Sequence, residues 1–99
     1  MIIVMGSFRM PAENLARALP MAQRVVEATR AEDGCHAYSY AQDLFDPTLI
    51  HVSEKWRDRE ALAAHFRSAH MQAWIAERGD LGLYDRDLRI FETDEGQPV

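Results

Sequence analysis

The sequence predicts a single α+β domain of ferredoxin-like architecture, βαββαβ, built on one antiparallel sheet. Three observations carry this. The apolar period switches between about 2 and about 3.6 residues in the order strand, helix, strand, strand, helix, strand. The middle two strands are joined by a short turn, so they form a hairpin. Both helical stretches are amphipathic, and the pattern places them on one face of the sheet.

Each element has its own warrant. Residues 2–10 are β-branched and aromatic and stop at Pro11, as a strand does. Ile2, Val4 and Phe8 occupy one face, Ile3 and Met5 the other; apolar groups on both faces mark a central strand. Residues 14–32 form a helix with Asn14 as N-cap and Gly34 as its stop, and Leu15, Leu19, Ala22, Val25, Val26 and Thr29 keep the helical period. Pro20 is discordant. Inside a helix it costs roughly 3 kcal/mol, so a kink at Pro20, or a helix start near it, is expected.

Residues 35–43 alternate small side chains (Cys35, Ala37, Ser39, Ala41) with larger ones (His36, Tyr38, Tyr40, Gln42), which is strand periodicity. Residues 44–47 are the turn. Residues 48–56 alternate again, with Ile50, Val52, Glu54 and Trp56 on one face and Leu49, His51, Ser53 and Lys55 on the other. Asp58 caps a short helix whose apolar face carries Leu62, His65 and Phe66. Ser68 caps a second segment, residues 69–78, striped by Met71, Trp74 and Ile75 and stopped by Gly79. Residues 86–92 are the last strand. Residues 93–99 are a polar tail with nothing to order it.

Composition bounds the function. A 99-residue chain is one domain, and at this size only about 60–65% of the unfolded surface is buried. With 47% hydrophobic residues and helices on one side only, the second sheet face needs a cover. A homodimer built sheet to sheet supplies it. A net charge of −5 without a Lys/Arg cluster excludes nucleic acid. Cys35 is the only cysteine, which rules out an internal disulfide and suits a reducing compartment. The first residues lack a basic n-region, and their apolar run is too short to span a bilayer. A cytoplasmic protein with no membrane partner is expected.

His65 and His70 stand five residues apart. On one helix that is ~140° of rotation, so the side chains diverge. Zinc-binding helices use an i,i+4 pair, and no third ligand is evident, so no metal is expected. Cys35 and His36 are adjacent on a strand and point to opposite faces. Cys35 reads as a buried small residue. A histidine titrates near neutrality, and His65, beside Leu62 and Phe66, is placed to take a proton from a ligand at the rim of an apolar pocket. The alternative is a structural, hydrogen-bonded ring. His70 falls in the first turn of its helix, where the dipole favours the neutral imidazole, with Trp74 stacked over it one turn on. Trp56, Trp74, Tyr38 and Tyr40 suit a core or a dimer contact as well as a pocket wall. Glu54, on an apolar face, needs a partner: Arg9, Arg89 or a histidine. Structural pairing is its default role and a catalytic acid the alternative.

The stretches "RAEDGCHAYSY" and "SEKWRDREALAAHFRSAHMQAW" resemble the antibiotic biosynthesis monooxygenase family. The match runs through Glu32, Gly34, Cys35, Tyr38, Glu54, Trp56, Ala61, Leu62, His65 and His70. "GCH" with "H-x4-HM" is most similar to the quinol monooxygenase branch. The resemblance implies a dimeric α/β barrel that oxidises a small phenol or hydroquinone with O₂ and uses no metal, flavin or haem. On it His65 is the catalytic candidate. Ser7, Tyr40, His51, Glu54, Trp56, Phe66, His70 and Trp74 complete the substrate-binding set. Haem-degrading relatives use an Asn, a Trp and a haem-ligating His. Those positions fall near Ser7, His65 and Ile75 here, and none matches. Two other functions share the fold: a dimer that binds a small hydrophobic ligand without turnover, and an isomerase of a small carbonyl compound.

Overall fold

Four strands form one antiparallel sheet in the computed structural model, which describes residues 1–99. They are β1 (Ile2–Arg9), β2 (Cys35–Gln42), β3 (Leu49–Trp56) and β4 (Tyr84–Glu92). The order across the sheet is β2-β3-β1-β4, so β1 is central, as its two-sided apolar pattern predicts. The register pairs Ile2 with Trp56 and Phe8 with Ile50 on one side, and Ile2 with Glu92 on the other. A Cβ on Gly6 would collide with the carbonyl oxygen of Asp87, so only glycine lets β4 approach β1 there.

Three helices cover one face: α1 (Leu15–Arg30), α2 (Arg59–Arg67) and α3 (Ala69–Asp80). A single 3₁₀ turn, Ala12–Asn14, leads into α1. The helix-facing residues form two adjoining cores. One gathers Phe8, Met10, Val25, Ile50, Val52, Met71 and Trp74. The other gathers Ile2, Val4, Tyr38, Trp56, Ala61 and Leu62.

Local expectations meet three corrections. Helix α1 neither starts at Pro20 nor breaks there; it runs continuously from Leu15, and Pro20 sits on the exposed side. A carbonyl freed on that side is hydrated rather than stranded. Asn14 occupies the N-cap position but makes no capping bond; its amide donates instead to the Leu81 carbonyl at 2.7 Å. Gly79 is helical, and the chain turns at Gly82, whose φ of 81° is in the left-handed region. The caps at Asp58 and Ser68 form as expected, on the backbone N–H groups of Ala61 and Met71.

The opposite sheet face has no helical cover. It carries Ile3, Met5, Ser7, His51, Ser53 and Lys55, paired across β1 and β3. Met5 is half exposed, and so is Phe91 of β4.

Candidate active site

A cavity of about 260 Å³ lies between the helix-covered sheet face and the α2–α3 pair. Its walls are mostly apolar: Val4, Phe8, Val52, Leu62, Phe66, Met71, Leu88 and Ile90. An apolar cavity of about 150 Å³ already accepts benzene, so this one has room for a single substituted ring. Its polar groups are few. Tyr38, Tyr40, Glu54, Arg78, Arg86 and Arg89 border it.

The alternation of β2 and β3 explains the polar set. Tyr38 pairs with Glu54 and Tyr40 with Val52, which brings all four onto the helix-facing side. The two tyrosine hydroxyls are 2.9 Å apart. Burial pushes both phenols above their ordinary range, so both stay protonated. Glu54 is buried, and the Trp56 indole N–H donates to its Oε1 at 2.9 Å. Its partner is therefore neither Arg9, Arg89 nor a histidine. Arg9 is taken by Asp46 and Arg89 by Asp87. Burial raises the Glu54 carboxyl, with the Trp56 bond opposing.

Beside the cavity is a polar knot. Ser68 ends α2 and starts α3 in an extended conformation. The break redirects the chain, so His65 and His70 converge on one carboxylate oxygen, Oε2 of Glu32. The distances are 2.7 Å to His65 Nδ1 and 2.8 Å to His70 Nε2. This overturns the expected divergence, which assumed one continuous helix. The third group that the local pattern lacks is Glu32, just past the end of α1. These three ligand atoms lie within 4.8 Å of one another and form a His₂-carboxylate set able to hold a metal ion. As they stand, both contacts are of hydrogen-bond length.

A carboxylate only accepts, so both ring nitrogens facing it donate. His65 is thereby held with its proton on Nδ1. Its ring is fully buried, packed 4.9 Å from Trp56, 5.4 Å from Tyr38 and 5.3 Å from Phe66, centroid to centroid. Its Nε2 is buried and has no hydrogen-bond partner. Burial lowers the imidazole pKa, opposed by the bond to Glu32; the ring is neutral, and Nε2 offers an unused lone pair.

The residues expected at the site divide into three groups. Tyr40, Glu54 and Phe66 border the cavity. His65, Trp56, His70 and Trp74 do not, although Tyr38 and Phe66, which touch His65, do. Trp56 and Trp74 are core residues with 0% and 1% exposure. Trp74 meets Tyr40 at 6.2 Å rather than stacking on His70, whose ring neighbour is His65. Ser7 and His51 face each other across β1 and β3 on the uncovered sheet face, where His51 pairs with Asp43 at 2.8 Å. Cys35 is half-buried rather than fully buried, and burial raises its thiol.

Sequence reasoning assigned no site role to Leu62, Met71, Arg78 or Arg86. Arg78 lies seven residues after Met71, on the same helical stripe. Arg86 has the strand parity of Leu88 and Ile90. Those offsets were the available signals.

The sheet order and the one-sided helices define a ferredoxin-like α+β domain, with a partly open apolar pocket between sheet and helices. The family model for antibiotic biosynthesis monooxygenase matches residues 1–77, and the chain belongs to that family. A protein of Synechocystis without an assigned function is 26% identical over 98 residues, 99% of this chain and 67% of that protein. The Bacillus subtilis protein named "Putative monooxygenase YcnE" is 28% identical over 95 residues, 96% of this chain and 100% of that one. A Deinococcus radiodurans structure solved under the same family name superposes with a TM-score of 0.92 at 26% identity, covering 100% of this chain and 98% of that one. No helix is long and apolar enough to cross a membrane.

Proposed function

We propose that the protein is a cofactor-independent oxygenase of a small phenol or hydroquinone, acting with O₂ as a cytoplasmic homodimer. One observation carries the reading. An apolar cavity sized for one ring lies behind Tyr38 and Phe66, which also pack on a buried imidazole whose Nδ1 is held by Glu32 and whose Nε2 has no partner.

The chemistry needs little more. A phenolic anion is electron-rich and can itself reduce O₂, so the protein has to bind, deprotonate and exclude water. His65 Nε2 takes the hydroxyl proton. The shared wall of Tyr38 and Phe66 lies between this nitrogen and the cavity, so the transfer requires Phe66, 40% exposed and the less buried of the two, to turn. A hydroquinone gives up two electrons and two protons to O₂, whereas a phenol gives up four electrons, takes one oxygen atom into the ring and reduces the other to water. A hydroquinone and O₂ give a quinone and hydrogen peroxide; a phenol and O₂ give a quinone and water. Tyr40, Glu54 and Phe66 contact the ring.

Oxygen uptake with hydroquinone and no added cofactor tests the proposal. Uptake should be lost in His65→Ala while the far-UV circular dichroism is retained. Unchanged turnover in that variant removes His65 from the mechanism.

A second reading has one observation in its favour: His65 does not border the void. A ligand-binding dimer without turnover would show saturable quinone binding, read by quenching of tryptophan fluorescence, with no oxygen consumed.

A further inference from the structure

The chain is acidic overall, with a net charge of −5, yet the polar end of its cavity is cationic. Arg78 comes from α3 and Arg86 from β4, so two separate elements present guanidinium groups to one apolar void. Six other arginines each sit against a carboxylate. Arg78 and Arg86 form no ion pair and donate no side-chain hydrogen bond. Arg78 is half-buried. Burial and the neighbouring Arg86 charge both weaken its hold on the proton. Arg86 is exposed, and the two like charges share the lining with the single carboxylate of Glu54, which leaves a net positive charge beside the low-dielectric hollow. Glu54, on the same lining, attracts Arg86 through space without forming an ion pair with it, and its Oε1 accepts from the Trp56 indole.

We propose that Arg78 and Arg86 form the anion-binding end of the cavity, so that the ligand is a hydroxylated aromatic carboxylate rather than a neutral hydroquinone. A planar guanidinium matches a carboxylate through two parallel N–H donors, and such bonds are about twice as strong as neutral ones. The apolar walls take the ring, and Tyr38 and Tyr40, whose hydroxyls are 2.9 Å apart, line the same void beside it. The substrate class rests on the oxygenase reading for its chemistry, but the binding preference does not.

The test is calorimetric binding under nitrogen, where no turnover occurs. The probes are 2,5-dihydroxybenzoate, its methyl ester and hydroquinone. The acid should bind about tenfold or more tightly than the ester, as a charge-assisted contact in a desolvated site allows. The ester has the same shape without the charge, so it separates charge from size. The acid's advantage should collapse in Arg78→Gln and shrink in Arg86→Gln. Equal affinity for acid and ester, an unchanged advantage in both variants, or no binding of any probe overturns the proposal. The wild-type acid-to-ester ratio decides the matter even if a variant does not fold. Tight acid binding without oxygen uptake would leave this inference standing and remove the oxygenase reading.

Discussion

Oε2 of Glu32 lies 2.7 Å from Nδ1 of His65, a contact across 33 positions of sequence that ties the end of α1 to the last turn of α2. The same oxygen accepts from His70 at the start of α3. One carboxylate therefore fastens three helices. Glu32→Ala leaves a fully buried ring N–H without an acceptor, which costs about 1–3 kcal/mol. Urea denaturation should show that loss, and Glu32→Gln, which keeps a carbonyl acceptor, should recover most of it. A Glu32→Ala protein as stable as wild type would contradict the fastening role.

Two buried groups give the stability a pH profile of mixed sign. The folded pKa of His65 is depressed by burial, so near pH 6.5 the unfolded chain binds the extra proton first. The stability that follows from this is complete above pH 6.5 and is lost as pH falls toward the lowered folded value. Glu54 works the other way. Its folded pKa is raised above 4.5, so its contribution is complete below pH 4.5 and is lost as pH rises through the raised value. Unfolding free energies measured at pH steps across this range should fall just below pH 6.5 in the wild type. His65→Gln should flatten that fall. An equal slope in the variant would assign it to other groups.

What the sequence reveals of this molecule follows the range over which each signal acts. Asp58 and Ser68 are legible because a short polar side chain before an apolar run caps the N–H groups a few residues on. Strand faces are legible because parity is local. Gly79 misleads for the complementary reason: a glycine suits a stop, but the chain has no need to turn until Gly82 brings Leu83 toward β4. The Asn14 side chain is diverted to Leu81, 67 positions away, which no local pattern reports. The site divides likewise. Tyr40, Glu54 and Phe66 follow from alternation and helical period. The convergence of His65 and His70 on Glu32 depends on how α1 packs against α3.

Ser68 combines two local duties. Its hydroxyl donates to the His65 carbonyl at 2.6 Å and accepts from the Met71 N–H at 3.3 Å. Losing such a cap costs about 1 kcal/mol. Ser68→Ala should lower stability by that amount. It should also loosen the angle between α2 and α3, and so the alignment of His65 with His70. Hydrogen exchange at the Met71 amide is the direct measurement. Faster exchange there with the sheet amides unchanged is the expected pattern; uniform acceleration would mean a global rather than local effect.

The uncovered sheet face bears on the assembly. Met5 and Phe91 are 53% and 48% exposed on it, and Leu44 and Phe45 at the β2–β3 turn are 94% and 95% exposed. Small side chains at Ser7, Ser39, Ala41 and Ser53 leave a shallow trough between them. A second copy would bury Met5 and Phe91 and fit its own projecting residues against the trough, and fully burying one large apolar side chain contributes about 1.5–3 kcal/mol. Light scattering at micromolar concentration should therefore give twice the chain mass. Met5→Glu places a carboxylate near its own symmetry mate at the centre of that contact. It should shift the equilibrium to monomer without unfolding the domain, because Met5 touches neither helix-side core. A wild-type monomer, or a dimer indifferent to Met5→Glu, would place the subunit contact elsewhere or remove it.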